Sequence, residues 1–158
     1  MQFDLYQLMH EALLQARAAD EAGEVPVGAV VADETGRVLG KGRNQPIVLH
    51  DPTAHAEIQA LRAAAKTRGN YRLPGCVLAV TIEPCIMCMG AAIQARIAHL
   101  VFGVPDPKAG AAGSLYDMAR DERLNHRMKV TGGIMAHQCG RLIQDFFKAR
   151  RQRRNQNS

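Results

Sequence analysis

Two short apolar, β-branched runs, Cys76 to Ile82 and His99 to Val104, flank a segment that opens at Pro84 and carries Ala91, Ala92 and Ile93, as a helix does. A strand, a helix and a second strand in this order make a crossover, and a crossover joins parallel strands with the helix packed on one face. The chain is therefore expected to be an α/β layered domain. Lys129 to Thr131 reads as a further short strand, and a last helix is expected from about Ile134 to Arg150, after Gly132-Gly133. Pro105 to Ser114 reads as a Pro/Gly/Ala loop.

Asp4 and Gln7 form a capping box, and Leu5, Leu8, Met9, Ala12, Leu13 and Ala16 follow at helical spacing up to Gly23. Val27 to Ala32 and Arg37 to Gly42 read as a hairpin around the turn Asp33-Glu34-Thr35-Gly36. An extended segment through Pro46 and Pro52 then leads to Thr53, the expected cap of a helix from about Ala54 to Thr67. No repeat or linker divides the 158 residues, so residues 1–150 are expected to form one domain. Aromatics are only 4% with no Trp, which leaves core volume to aliphatic side chains and Ala and predicts close helix–sheet packing.

The net charge of +5 has a local origin, because without Lys148, Arg150, Arg151, Arg153 and Arg154 the 15 remaining basic residues balance 15 acidic ones. Residues 151–158 are thus expected to be a flexible basic tail, either an arm for an anionic partner or a solvated terminus. The first twenty residues hold Asp4, His10, Glu11 and Arg17 and lack a signal-peptide h-region, and no run approaches the roughly 18 apolar residues of a membrane span. A cytoplasmic protein is expected. There Cys76, Cys85, Cys88 and Cys139 stay reduced, which favours metal binding over disulfides.

His55, Cys85 and Cys88 together offer one imidazole and two thiolates, the three-ligand set of a catalytic zinc site that keeps a fourth position for water. The i, i+3 spacing of the cysteines puts both sulfurs on one face of a helix start, where unpaired N–H groups lower thiol pKa. Glu57, two residues beyond His55, points elsewhere in the turn and suits a proton carrier better than a fourth ligand. Cys76 opens an apolar strand and Cys139 lies on the last helix, so both are read as core. Of the neighbours Phe146 and Phe147, helical spacing lets only one face inward.

His-x-Glu ahead of Pro-Cys-x-x-Cys resembles the signature of zinc nucleobase deaminases. "DPTAHAEIQALR", "TIEPCIMCMGAAIQARI", "VFGVPDPKAGAAGSL", "LNHR" and "FFKARRQ" are similar to the bacterial tRNA-specific adenosine deaminases over nearly the whole chain. That resemblance implies a cytidine deaminase-like three-layer α/β/α sandwich on a mixed sheet of about five strands, a homodimer, and one Zn2+ per subunit without an organic cofactor. It implies conversion of adenosine to inosine at the wobble position of a tRNA anticodon stem-loop, by attack of zinc-activated water on C6 of adenine. His55, Cys85 and Cys88 carry over as metal ligands and Glu57 as the proton shuttle. Asn44 carries over as a contact to the target nucleoside, Asp106 and Lys108 to flanking nucleotides, and Phe147, Arg150 and Arg151 to the anticodon loop. Two other readings stay open: a deaminase of free bases or nucleosides, which uses the same four residues, and a zinc-stabilised RNA-binding module in which Glu57 is incidental.

Overall fold

The computed structural model describes residues 4–157; Ser158 of the expected tail and the first three residues of the expected domain lie outside the described residues. The elements are α1 (Leu5–Glu21), β1 (Gly28–Ala32), β2 (Val38–Arg43), α2 (Pro46–Leu49), α3 (Ala56–Arg68), β3 (Val77–Ile82), α4 (Ile86–Gln94), β4 (His99–Val104), β5 (Lys129–Thr131) and α5 (Ala136–Gln156). The five strands form one sheet in the order β2-β1-β3-β4-β5. Strand β1 runs antiparallel to both β2 and β3, whereas β3, β4 and β5 are mutually parallel, so the sheet is mixed.

Side chains alternate across a strand with period two, and here the alternation separates two cores. Val30, Ala32, Val77, Ala79 and Val101 meet Leu8, Met9, Ala12 and Leu13 of α1 and Cys139 of α5. Ala29, Val31, Leu78, Val80, Leu100 and Phe102 face the other way, onto Ala56, Ala60, Leu61 and Ala64 of α3 and Met89, Ala92 and Ile93 of α4. The result is the expected α/β/α sandwich. Cys76 and Cys139 are both buried in these cores, as their settings in the sequence predict.

The alanines matter most under α3. Gly40 and Gly42 of β2 point at the α3 backbone, where an added β-carbon would overlap Ala60 and Ala64 in one case and Ala56 and Ala60 in the other. Helix and strand thus touch backbone to backbone, which only Gly against a row of Ala permits. Gly28 of β1 makes the same close approach to Ala12 and Ala16 of α1.

Three local expectations are corrected. Thr53 does not cap α3: its N–H and hydroxyl are both bonded to Asp51 Oδ1, at 2.8 and 2.7 Å, and the cap position falls to His55. The segment after β2 is not wholly extended, because Pro46–Leu49 forms a helical turn. Its cap comes from a buried carboxylate remote in sequence, Glu24, which accepts from the N–H groups of Ile47 and Val48 at 3.1 and 2.9 Å. Finally, α5 runs without a break to Gln156, beyond its expected end near Arg150, so residues 151–156 are helical. Arg and Gln, which make up all of that stretch but Asn155, are strong helix formers, and no Gly or Pro there ends the helix.

The backbone contact under α3 predicts that Gly42→Ala is destabilising. Overpacking of this kind costs about 1–3 kcal/mol, equivalent in a domain of this size to roughly 3–10 °C in Tm. A melting curve of Gly42→Ala superimposed on that of the parent protein would show that α3 does not rest on β2 in this way.

Candidate active site

The C-terminal ends of β2 and β3 and the N-termini of α3 and α4 meet at one end of the sheet, on the α3/α4 face. His55 is the N-cap of α3 and Glu57 lies in its first turn; Cys85 is the N-cap of α4 and Cys88 lies in its first turn. Neither side chain makes a capping hydrogen bond to its own helix. Instead Asn44, just beyond β2, accepts the Ala56 N–H with Oδ1 at 3.0 Å, which caps α3 from outside and leaves the His55 imidazole free to face the sulfurs.

The donor set fits a tetrahedral zinc ion. With Zn–S near 2.3 Å and Zn–N near 2.0–2.1 Å, such an ion holds nitrogen and sulfur about 3.6 Å apart. His55 Nδ1 lies 3.6 Å from Cys85 Sγ and 3.5 Å from Cys88 Sγ. All three atoms lie within 4.8 Å of one another, and the described residues supply no fourth His, Cys, Asp or Glu to this group. A protein fourth ligand would have closed the site; three ligands leave room for water.

The three donor groups share protons with one another. The Cys88 thiol donates to Cys85, and this bond, against the opposing cost of burial and with further help from His55, holds the Cys85 thiol down to about 3. Sharing that proton pushes Cys88 up, and burial adds to the effect. His55 is raised chiefly by its hydrogen bond with Cys85. Glu57 is only 3% exposed, and desolvation raises its carboxyl above the ordinary carboxylate value. It stands against Cys88, beside the three-ligand group.

The remaining candidates divide. Asp106, Lys108, Phe147 and Arg151 line one groove of about 770 Å3 together with Ile82, the last residue of β3. Phe146 is the inward-facing ring of the aromatic pair and Phe147 the outward one, 5.3 Å apart edge to face. Arg150 does not line this groove; its guanidinium lies over Phe146 at 5.4 Å. Asp106 also serves its own turn, accepting from the N–H groups of Lys108 and Ala109 at 3.1 and 3.2 Å. Asn44 stands apart from the groove, at the head of α3.

Sequence reasoning missed Glu83. This carboxylate is buried between β3 and the cysteine turn and accepts from the N–H groups of Asp106, Ala112 and Ser114 at 3.1, 3.0 and 3.1 Å, and from the Ser114 hydroxyl. Burial alone would raise its pKa, but these donors together hold it below the ordinary value. A Glu between an apolar strand and a Pro, with a Gly-Ala-Ala-Gly-Ser loop downstream, was the signal that could have found it.

A doubly covered mixed sheet that brings one imidazole and two thiol groups together beside a buried carboxyl defines a candidate metal-binding centre in an α/β/α fold. The model of the cytidine and deoxycytidylate deaminase zinc-binding region matches residues 3–104. The tRNA-specific adenosine deaminase of Haemophilus influenzae is 47% identical over 146 residues, 92% of this chain and 84% of that one. A structure solved in studies of A-to-I editing by tRNA:A34 deaminases superposes with a TM-score of 0.83 at 40% identity, covering 86% of this chain and 98% of the other. The guanine deaminase of Nitrosomonas europaea superposes at 0.77 with 26% identity, covering 92% and 86%. The chain belongs to the cytidine and deoxycytidylate deaminase zinc-binding family, within its tRNA-specific adenosine deaminase branch.

Elemental analysis of the purified protein should find about one zinc per chain, as a three-ligand site requires, and Cys85→Ala should abolish it. Full occupancy in that variant would remove Cys85 from the ligand set.

Proposed function

We propose that this protein hydrolytically deaminates adenosine to inosine at the wobble position of a tRNA anticodon loop. The observation that carries the reading is the burial of Glu57 beside a His55, Cys85 and Cys88 group with an open fourth position, because a purely structural zinc site needs neither. Zinc bound there would supply a Lewis acid that makes water a nucleophile at neutral pH. Glu57 carries one proton of the attacking water to the ring nitrogen and a second, from the resulting C6 hydroxyl, to the leaving amine, so adenosine and water give inosine and ammonia. Asn44, held by its bond to Ala56, keeps its amide N–H2 for the nucleoside.

An adenine stacked in a duplex is out of reach, so the target is an unpaired loop base. Phe147 offers a face for stacking, and Lys108 and Arg151 offer cations for phosphate along the same groove. Arg150, Arg153 and Arg154 extend the cationic surface along α5. A second copy of the chain is the proposed occupant of the apolar groove between α3 and α4, lined by Ile58, Leu61, Tyr71, Met87 and Ala91. That groove includes Met87, which lies between the two cysteines, so a dimer would abut the site. No helix among the described residues is long and apolar enough to cross a membrane, and a cytoplasmic location suits a tRNA substrate.

The likeness to a guanine deaminase favours one other reading, turnover of a free base in the same centre. Incubation with total tRNA, followed by sequencing for adenosine-to-inosine changes, separates the two when free guanine is assayed in parallel. Inosine at the wobble position is expected, and turnover of guanine alone would overturn the tRNA reading.

Glu57→Gln should keep zinc and hairpin binding while turnover falls by roughly 10²–10⁴, the usual range for lost acid–base catalysis. An undiminished rate would exclude Glu57 as proton carrier. Replacing Arg150, Arg151, Arg153 and Arg154 by Ala should flatten the slope of log K against log salt for an anticodon hairpin by roughly 1–3 units, at about 0.7 for each phosphate no longer neutralised. Equal slopes would leave α5 a solvated helix end.

A further inference from the structure

Glu83 is buried, negatively charged, and fully engaged with a loop distant in sequence. Its Oε1 accepts from the Asp106 N–H and the Ser114 hydroxyl, and its Oε2 from the N–H groups of Ala112 and Ser114. Gly110 lies against the same carboxylate so closely that a β-carbon there would overlap it. The neighbouring backbone repeats the connection: Glu83 N–H donates to the Val104 carbonyl at 2.9 Å, and Ala111 N–H to the Pro84 carbonyl at 2.8 Å. Residues 83–84, immediately before Cys85, are therefore bonded to both ends of the 104–114 loop.

This arrangement is more than a loop anchor because of what the two ends carry. One end is the turn that presents Cys85. The other is the segment in which Asp106, its N–H held by Glu83, uses its own carboxylate to fix the N–H groups of Lys108 and Ala109. The path from Cys85 to Lys108 thus passes through two hydrogen-bonded carboxylates and little free chain. We infer that Glu83 is a positioning residue that fixes the Asp106–Lys108 segment relative to the Cys85 turn, and so sets where nucleotides flanking the reacting base lie. The inference rests on the reading of the Lys108 groove as an RNA surface.

The test compares the parent protein with Glu83→Gln, Ser114→Ala, Lys108→Ala and the double variant Glu83→Gln/Lys108→Ala, each as zinc-loaded full-length protein acting on an anticodon hairpin. Gln replaces one charged acceptor oxygen by a donor, so at least one loop amide loses its partner. Glu83→Gln should raise KM about tenfold, the equivalent of one charge-assisted hydrogen bond, with a smaller change in kcat and about one zinc per chain retained. Ser114→Ala, which removes only the hydroxyl donor, should move KM in the same direction by less. The double variant should have nearly the KM of the worse single variant, because residues acting through one path are not additive.

Loss of zinc from Glu83→Gln, a fall in kcat with KM unchanged, or multiplicative effects in the double variant would overturn the inference while leaving the RNA reading intact. An unchanged KM in Lys108→Ala would overturn that reading and the inference with it. Should Glu83→Gln fail to fold, Ser114→Ala decides, and a parental KM in that variant counts against the positioning role.

Discussion

Helix α3 lies on strand β2 with almost nothing between the two backbones, and the position of the chemistry depends on that packing. Gly40 and Gly42 supply the space on the strand side, and Ala56, Ala60 and Ala64, one helical turn apart, supply it on the helix side. With so little side chain to compress, the helix cannot settle nearer or farther without steric overlap or a void, and close-packed interiors tolerate neither. The N-terminus of α3 is thereby fixed at the end of the sheet, where Asn44 closes its first turn. His55 is then delivered to the sulfurs of a second helix that the β3–α4–β4 crossover has placed independently.

Three buried glutamates at this end of the fold illustrate how the same side chain is put to different uses. Glu24 and Glu83 are satisfied by backbone N–H groups, two from α2 in one case and three from a loop in the other. At Glu83 such donors outweigh burial and hold the carboxyl below its ordinary value, which suits a strut and not a proton carrier. Glu57 has no such set of amide donors; its burial instead raises its pKa, and its neighbours are the thiol and imidazole of the metal-binding group. That contrast is what sets Glu57 apart as the proposed proton carrier.

The groove at the ends of β3 and β4 draws on elements far apart in the chain. Lys108 arrives on a loop organised from Glu83, and Phe147 and Arg151 on α5, one helical turn apart on the same face. Phe146 turns inward and carries Arg150 over its ring, so adjacent residues of α5 divide between packing and the groove.

Much of this was legible in the chain, for reasons that can be located in particular residues. The strands from Cys76 and His99 are apolar and β-branched, the alanine-rich helices keep period, and His55, Glu57, Cys85 and Cys88 have spacings that only a few chemistries use, so the layered fold and the candidate centre follow from local pattern. Thr53 and the segment after Pro46 misled because their partners, Asp51 and Glu24, compete through geometry that propensity does not contain. The sequence by itself determined which side chains could bind a metal and move a proton, since identity and spacing set donor type and helix face. Only the tertiary structure decided that His55 Nδ1 and the two sulfurs lie about a tetrahedral edge apart, that Glu83 ties the cysteine turn to the Lys108 loop, and that Arg150 leaves the groove, because each depends on residues brought together across tens of positions by packing of whole elements.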